Sequence, residues 1–213
     1  MSKYFKTGVK VLIIHLISAY CLVGLANDPL QKTVLVLGDS LSAEYGIQRG
    51  MGWVALLDKQ LNTIASKTYK IVNASISGET TAGGVQRIIP LIEQNKPSLT
   101  IIELGANDAL RGLSLEMTQN NLRQIIKTAQ KTGAILLFEI RIPPNYGKKY
   151  TEEFQKIFPT LAREYKSTLV PFFLSDIASE VKYFQQDRIH PNEDAQPIIM
   201  KKVLPYVKKT LAQ

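Results

Sequence analysis

The chain has 213 residues, a formal net charge of +8 and a single cysteine. That length suits one domain with a substantial core and is short for two, and one cysteine excludes a disulfide framework. The basic excess has no aromatic-interleaved stretch of the kind that binds nucleic acid; Lys201, Lys202, Lys208 and Lys209 read as the solvated face of a C-terminal helix.

Residues 1–26 read as an export signal. Lys3, Lys6 and Lys10 make a positive start, Val11 to Leu25 is mostly apolar, and Gly24-Leu25-Ala26 offers small residues at the cleavage-determining positions. The expected mature chain is residues 27–213, one domain beginning at Asn27. An uncleaved anchor is the competing reading, but the apolar stretch is shorter than the ~20 residues of a spanning helix and contains His15. Lipid attachment at Cys21 is disfavoured by the bulky Tyr20 before it. Cleavage removes the only cysteine, and with it any thiol nucleophile.

In the remainder, strand-like and helix-like segments alternate without a repeat or a long linker, the pattern of a parallel sheet covered by helices. The first strand, 33–37, runs into Gly38-Asp39-Ser40-Leu41-Ser42, which puts a serine where a buried strand meets a turn. A helix follows at 53–62, then a strand at 69–73 that ends in Asn73-Ala74-Ser75-Ile76-Ser77-Gly78-Glu79-Thr80. After a helix at 81–95, a third strand, 99–104, leads through Glu103-Leu104-Gly105-Ala106-Asn107-Asp108 towards a helix at 116–131. A strand at 134–139, the stretch Arg141-Ile142-Pro143-Pro144-Asn145-Tyr146-Gly147, a helix at 152–166 and a strand at 168–171 come next. The last helix starts after Asn192, a plausible N-cap, and Pro205 is expected to bend or interrupt it.

Ligands of an open α/β sheet collect outside the carboxyl ends of its strands, so the strand-end residues carry the chemistry. Ser40 at neutral pH needs a base, and His190 in Asp187-Arg188-Ile189-His190-Pro191-Asn192 is the one histidine of the mature chain. Asp187, three residues earlier, can hold the other ring nitrogen. Gly78 lets a backbone amide approach a substrate, and Asn107 has a side-chain NH2 to donate. Taken singly, each has a plain structural reading: a helix-capping serine, a surface histidine, turn residues.

Together and in this order, these segments resemble the SGNH (GDSL) hydrolase superfamily, and within it the bacterial periplasmic multifunctional thioesterase and lysophospholipase branch. The resemblance implies a flavodoxin-like three-layer α/β/α fold with a five-stranded parallel sheet. It also implies a catalytic set of Ser40, Asp187 and His190, and an oxyanion hole formed by the Ser40 and Gly78 amides and Asn107. The reaction implied is two-step acyl transfer on small-molecule esters and thioesters, with no metal and no organic cofactor. A monomer, periplasmic or secreted, with no nucleic acid partner and at most transient contact with membrane lipid completes the expectation. Residues 141–147 also resemble that branch, without a catalytic role; a structural loop after the fourth strand is their plain reading.

Glu44, Ala106 and Arg188 depart from the glycines common at these positions in the family. Ala106 limits backbone freedom, whereas Glu44 and Arg188 are expected to flank the cleft with opposite charges and to shift preference among charged substrates. Two other readings stay open from sequence: a carbohydrate O-acetylesterase of the same superfamily, and a non-catalytic lipid- or partner-binding module.

Overall fold

The computed structural model describes residues 31–64 and 68–212. The expected export segment, with His15, Cys21 and the position after Ala26, lies outside them. Five strands, β1 (Lys32–Gly38), β2 (Tyr69–Asn73), β3 (Leu99–Glu103), β4 (Ala134–Phe138) and β5 (Thr168–Val170), pair in parallel in the order β2-β1-β3-β4-β5. This is the flavodoxin-like order, and the chain reverses its direction of travel between β1 and β3, where such sheets open a crevice.

The helices are α1 (Trp53–Ile64), α2 (Thr81–Asn95), α3 (Ala106–Leu110), α4 (Leu115–Ala129), α5 (Lys148–Glu164) and α6 (Gln196–Leu211). On one face α1 packs with α6, and on the other α4 lies between α2 and α5, which makes the expected three layers. Because both faces are covered, the central strands read as predominantly apolar runs rather than alternating ones, with Thr100 and Glu103 of β3 the buried polar members. Val34 to Leu37 and the whole of β3 are buried, whereas the edge strands β2 and β5 keep partly exposed residues. An aromatic chain from Trp53 through Phe138 to Phe173, with ring centroids 5.5 and 5.0 Å apart, fills the layer under α1.

Pairing of Gly38 with Glu103 and of Val36 with Asn73 brings the ends of β1, β2 and β3 to one edge. Backbone bonds from Ala74 and Ile76 to Val36 and Gly38, at 2.8 and 3.1 Å, carry the β2 side past the strand.

The expected strands agree with the observed ones to about a residue at each end, but the helices differ more. α5 begins at Lys148 rather than 152, because a 3₁₀ turn at Pro144–Tyr146 feeds it directly through Gly147. Asn192 caps a 3₁₀ turn, Glu193–Ala195, its side chain accepting from the Ala195 amide, and α6 starts only at Gln196. Pro205 does not interrupt α6. It lies on the exposed face, where the Lys201 carbonyl deprived of its donor meets water. The five-residue helix α3 has no counterpart among the expected elements.

Candidate active site

The turn after β1 is fixed on several sides. The Asp39 carbonyl accepts from the Ser42 and Ala43 amides at 3.2 and 3.0 Å, and the Asp39 carboxylate accepts from the Leu41 amide at 3.0 Å. Buried Trp53 donates its indole N–H to the Leu41 carbonyl at 3.1 Å, and Asn73 donates to the Ser42 carbonyl at 2.8 Å. This leaves the Ser40 hydroxyl on the outer side of the turn, with Oγ 2.9 Å from His190 Nε2.

His190 arrives on a folded-back loop. Phe184 and Pro191 form an antiparallel bridge, the Gln185 amide donates to the His190 carbonyl and the Asn192 amide to the Tyr183 carbonyl, each at 2.8 Å. Gln185 also donates its side chain to the Tyr45 carbonyl at 2.8 Å, which ties this loop to the serine turn. The Tyr45 ring packs against the imidazole with centroids 4.3 Å apart.

Asp187 Oδ2 stands 2.6 Å from His190 Nδ1, while Oδ1 accepts from the Ile189 and His190 amides at 2.9 and 3.0 Å. Burial pushes this carboxyl up, but the bonds from His190 and Ile189 overcome that and hold it at about 2. An ionised Asp187 accepts only, so the imidazole proton resides on Nδ1 and the Nε2 lone pair faces the serine hydroxyl.

Three N–H groups stand at this sheet edge, on Ser40 itself, on Gly78 and on the Asn107 side chain. Gly78 adopts φ +80, a conformation that only glycine takes freely, and its carbonyl accepts from the Arg111 guanidinium at 2.9 Å. Neither the Ser40 amide nor the Gly78 amide donates to another protein group among the described residues. Asn107, in the first turn of α3, donates one Nδ2 hydrogen to Asp39 Oδ2 at 3.0 Å and keeps the other. Buried Asp108 accepts from the Thr81 amide at 2.9 Å and so pins α3 to the start of α2. All five residues expected from sequence therefore lie at one edge, with Ser40, His190 and Asp187 directly linked.

Residues 36–196 match the model of the GDSL-like Lipase/Acylhydrolase family. The chain belongs to that family. It is similar to Esterase TesA of Pseudomonas aeruginosa, 44% identical over 191 residues that cover 89% of this chain and 94% of that protein. It is 45% identical over 168 residues to Thioesterase 1/protease 1/lysophospholipase L1 of Escherichia coli K12, covering 78% and 79% of the two chains. A crystal structure of TesA superposes with a TM-score of 0.81 at 43% identity, over 84% of this chain and 99% of that one.

A groove opens beside the serine turn, reaching it through Leu41, the neighbour of Ser40, and Ile189, the neighbour of His190. Its volume is about 350 Å³, and Leu41, Ala106, Ile140, Ile142, Phe172 and Phe184 give it an apolar lining. Pro143 and Pro144 form part of the wall, so the stretch 141–147 shapes this groove besides connecting elements. Arg141 is held there by Glu139, at 2.9 Å, and stacks over the Phe172 ring at 4.9 Å.

The expectation that Glu44 and Arg188 both flank the cleft is half corrected. Arg188 lines the groove in the left-handed region at φ +58. Glu44, at φ +60, turns its carboxylate to the Gly50 and Gly52 amides, both at 3.0 Å, and closes its own loop instead. Two unpaired glycine amides nearby in sequence give that carboxylate a better partner than open solvent.

Sequence reasoning passed over Asp39, Glu103, Tyr45, Gln185 and Arg111. Only Glu103 left a signal, a carboxyl at the end of an otherwise apolar strand. The others act through contacts between segments far apart in the chain.

Proposed function

We propose that this GDSL-family esterase cleaves small-molecule acyl esters and thioesters through an acyl-enzyme on Ser40. The observation that carries the reading is the Ser40, His190, Asp187 hydrogen-bonded chain opening onto an apolar groove. His190 takes the serine proton as Oγ attacks the carbonyl, and Asp187 stabilises the imidazolium. The Ser40 and Gly78 amides and Asn107 Nδ2 stabilise the oxyanion. His190 then protonates the leaving alcohol or thiol, and water repeats the sequence on the acyl-enzyme. These steps require neither a metal nor an organic cofactor.

The proposed enzyme is exported, with residues 1–26 removed as a signal peptide and residues 27–213 acting as one monomeric domain, periplasmic or secreted. Among the described residues no helix is long and apolar enough to cross a membrane. Export separates it from cytoplasmic acyl-CoA, so lysophospholipids and other medium or long acyl esters are the proposed physiological substrates. Contact with lipid is then transient. Turnover across a chain-length series of p-nitrophenyl esters, acyl-CoA and lysophospholipid, with Ser40→Ala as blank, tests this. The groove predicts preference for medium or long chains. Preference for acetyl esters would point to the carbohydrate O-acetylesterase reading instead.

A further inference from the structure

Asp39 adjoins the nucleophile, yet no step above uses it. Its side chain is 1% exposed. Oδ1 accepts the Leu41 amide of the serine turn at 3.0 Å, and Oδ2 accepts Asn107 Nδ2 at 3.0 Å. One carboxylate thus spans β1 and β3 at the switch point, joining the turn that carries the nucleophile to the side chain proposed to meet the oxyanion. The Asp39 amide donates in turn to Glu103 Oε2 at 3.3 Å, which also accepts from Ser42 Oγ at 2.7 Å. Glu103 is fully buried, and its Oε1 has no partner among the described residues.

An ionised carboxylate only accepts hydrogen bonds. It therefore demands the nitrogen of Asn107, not its oxygen, and leaves the second Nδ2 hydrogen for the substrate. A protonated Asp39, or an asparagine in its place, can donate as well. It would tolerate Asn107 turned over, with the carbonyl oxygen where nitrogen had been and the oxyanion donor lost.

We propose that Asp39 is a positioning residue whose carboxylate selects the amide orientation of Asn107 and so sets oxyanion stabilisation. The proposal rests on the reading of Asn107 as an oxyanion donor. The titratable groups facing Asp39 are Glu103 from β3, Asp108 from α3 and His190 from the loop after β5. Burial raises the Asp39 carboxyl to about 6, against the bond from Leu41, the His190 charge and the bond from Asn107, with Asp108 adding to the rise. Burial, with the Asp39 charge beside it, likewise pushes Glu103 well up.

A double-mutant cycle on a p-nitrophenyl ester tests this. Asp39→Asn keeps an oxygen for the Leu41 amide and removes only the demand on Asn107. Asn107→Ala alone should lower kcat by ~10² to 10³. Asp39→Asn alone should lower kcat by ~10 to 10² with KM within about twofold, and should change kcat by less than about twofold in the Asn107→Ala background. Equal losses in both backgrounds would overturn the proposal while leaving the oxyanion reading intact. An unchanged kcat in Asn107→Ala would remove that reading and the proposal with it.

Should Asp39→Asn fail to fold, the full chain still answers through NMR. The Asn107 side-chain amide signals, identified by their loss in Asn107→Ala, should shift with pH at a midpoint that persists in His190→Ala. Signals that do not move, or that follow only the imidazole, would overturn the assignment.

Discussion

The Ser40 hydroxyl lies 2.9 Å from the imidazole proposed as its base, and that imidazole lies 2.6 Å from the Asp187 carboxylate, so the geometry the proposed attack needs is already assembled in the folded chain. Buried Asp39 contributes differently. Its folded value, about 6, lies above the ordinary 3.8, so the native state holds this proton more tightly than the unfolded chain does. Stability from this group is then lost as pH rises from about 3.8 to about 6, and the penalty is complete above that range, on the order of 3 kcal/mol. Thermal melts of Asp39→Asn should accordingly show a Tm above that of the parent chain at pH 8, by several degrees, with the gap closing towards pH 4. A gain in stability beside a loss of turnover is the signature of a residue kept for function. At this scale the proposed reacting groups were legible because residues 27–213 hold a single histidine and the serine sits in a distinctive strand-end motif. Asp39 was not, since an aspartate before a turn reads as an ordinary turn former, and its partner Asn107 is 68 positions away.

At the scale of elements, parallel pairing and crossover helices place every functional segment at the same end of the sheet. The central strands were readable because burial on both faces makes them predominantly apolar. α3 was not, because five residues give too short a stretch for helical periodicity to register. Nor was the 181–192 loop, whose shape depends on the Phe184 to Pro191 bridge and the tie from Gln185 to Tyr45. The connection from α4 into β4 is another place where packing decides. A Cβ on Gly133 would meet the Ser98 carbonyl oxygen at 2.3 Å, and backbone on both sides cannot easily give way. Gly133→Ala should therefore cost about 1–3 kcal/mol, read as a lower denaturant midpoint with unchanged KM. A neutral effect would mean that the β3–β4 entry is looser than its hydrogen bond between Ala134 and Ser98, 2.9 Å, implies.

For the whole molecule, the three-layer fold supplies a rigid frame, and the loops at its carboxyl edge supply the chemistry and the groove. The substrate class follows from that groove and the proposed compartment together. Expression of the full chain in a Gram-negative host should yield a periplasmic protein whose intact mass corresponds to a start at Asn27. A product that retains residues 1–26 in the membrane fraction would favour the anchor reading. The fold class was legible from the alternation of segments along the chain, whereas the groove was not, because its walls come from the segments after four different strands, β1, β3, β4 and β5.

The central claim is that acyl transfer runs through Ser40. Intact-mass and peptide analysis after treatment with a fluorophosphonate should find one adduct, on the peptide carrying Ser40, none in Ser40→Ala, and loss of ester hydrolysis in step with labelling. Full hydrolytic activity in Ser40→Ala, or an adduct on another residue that tracks the loss of activity, would contradict it.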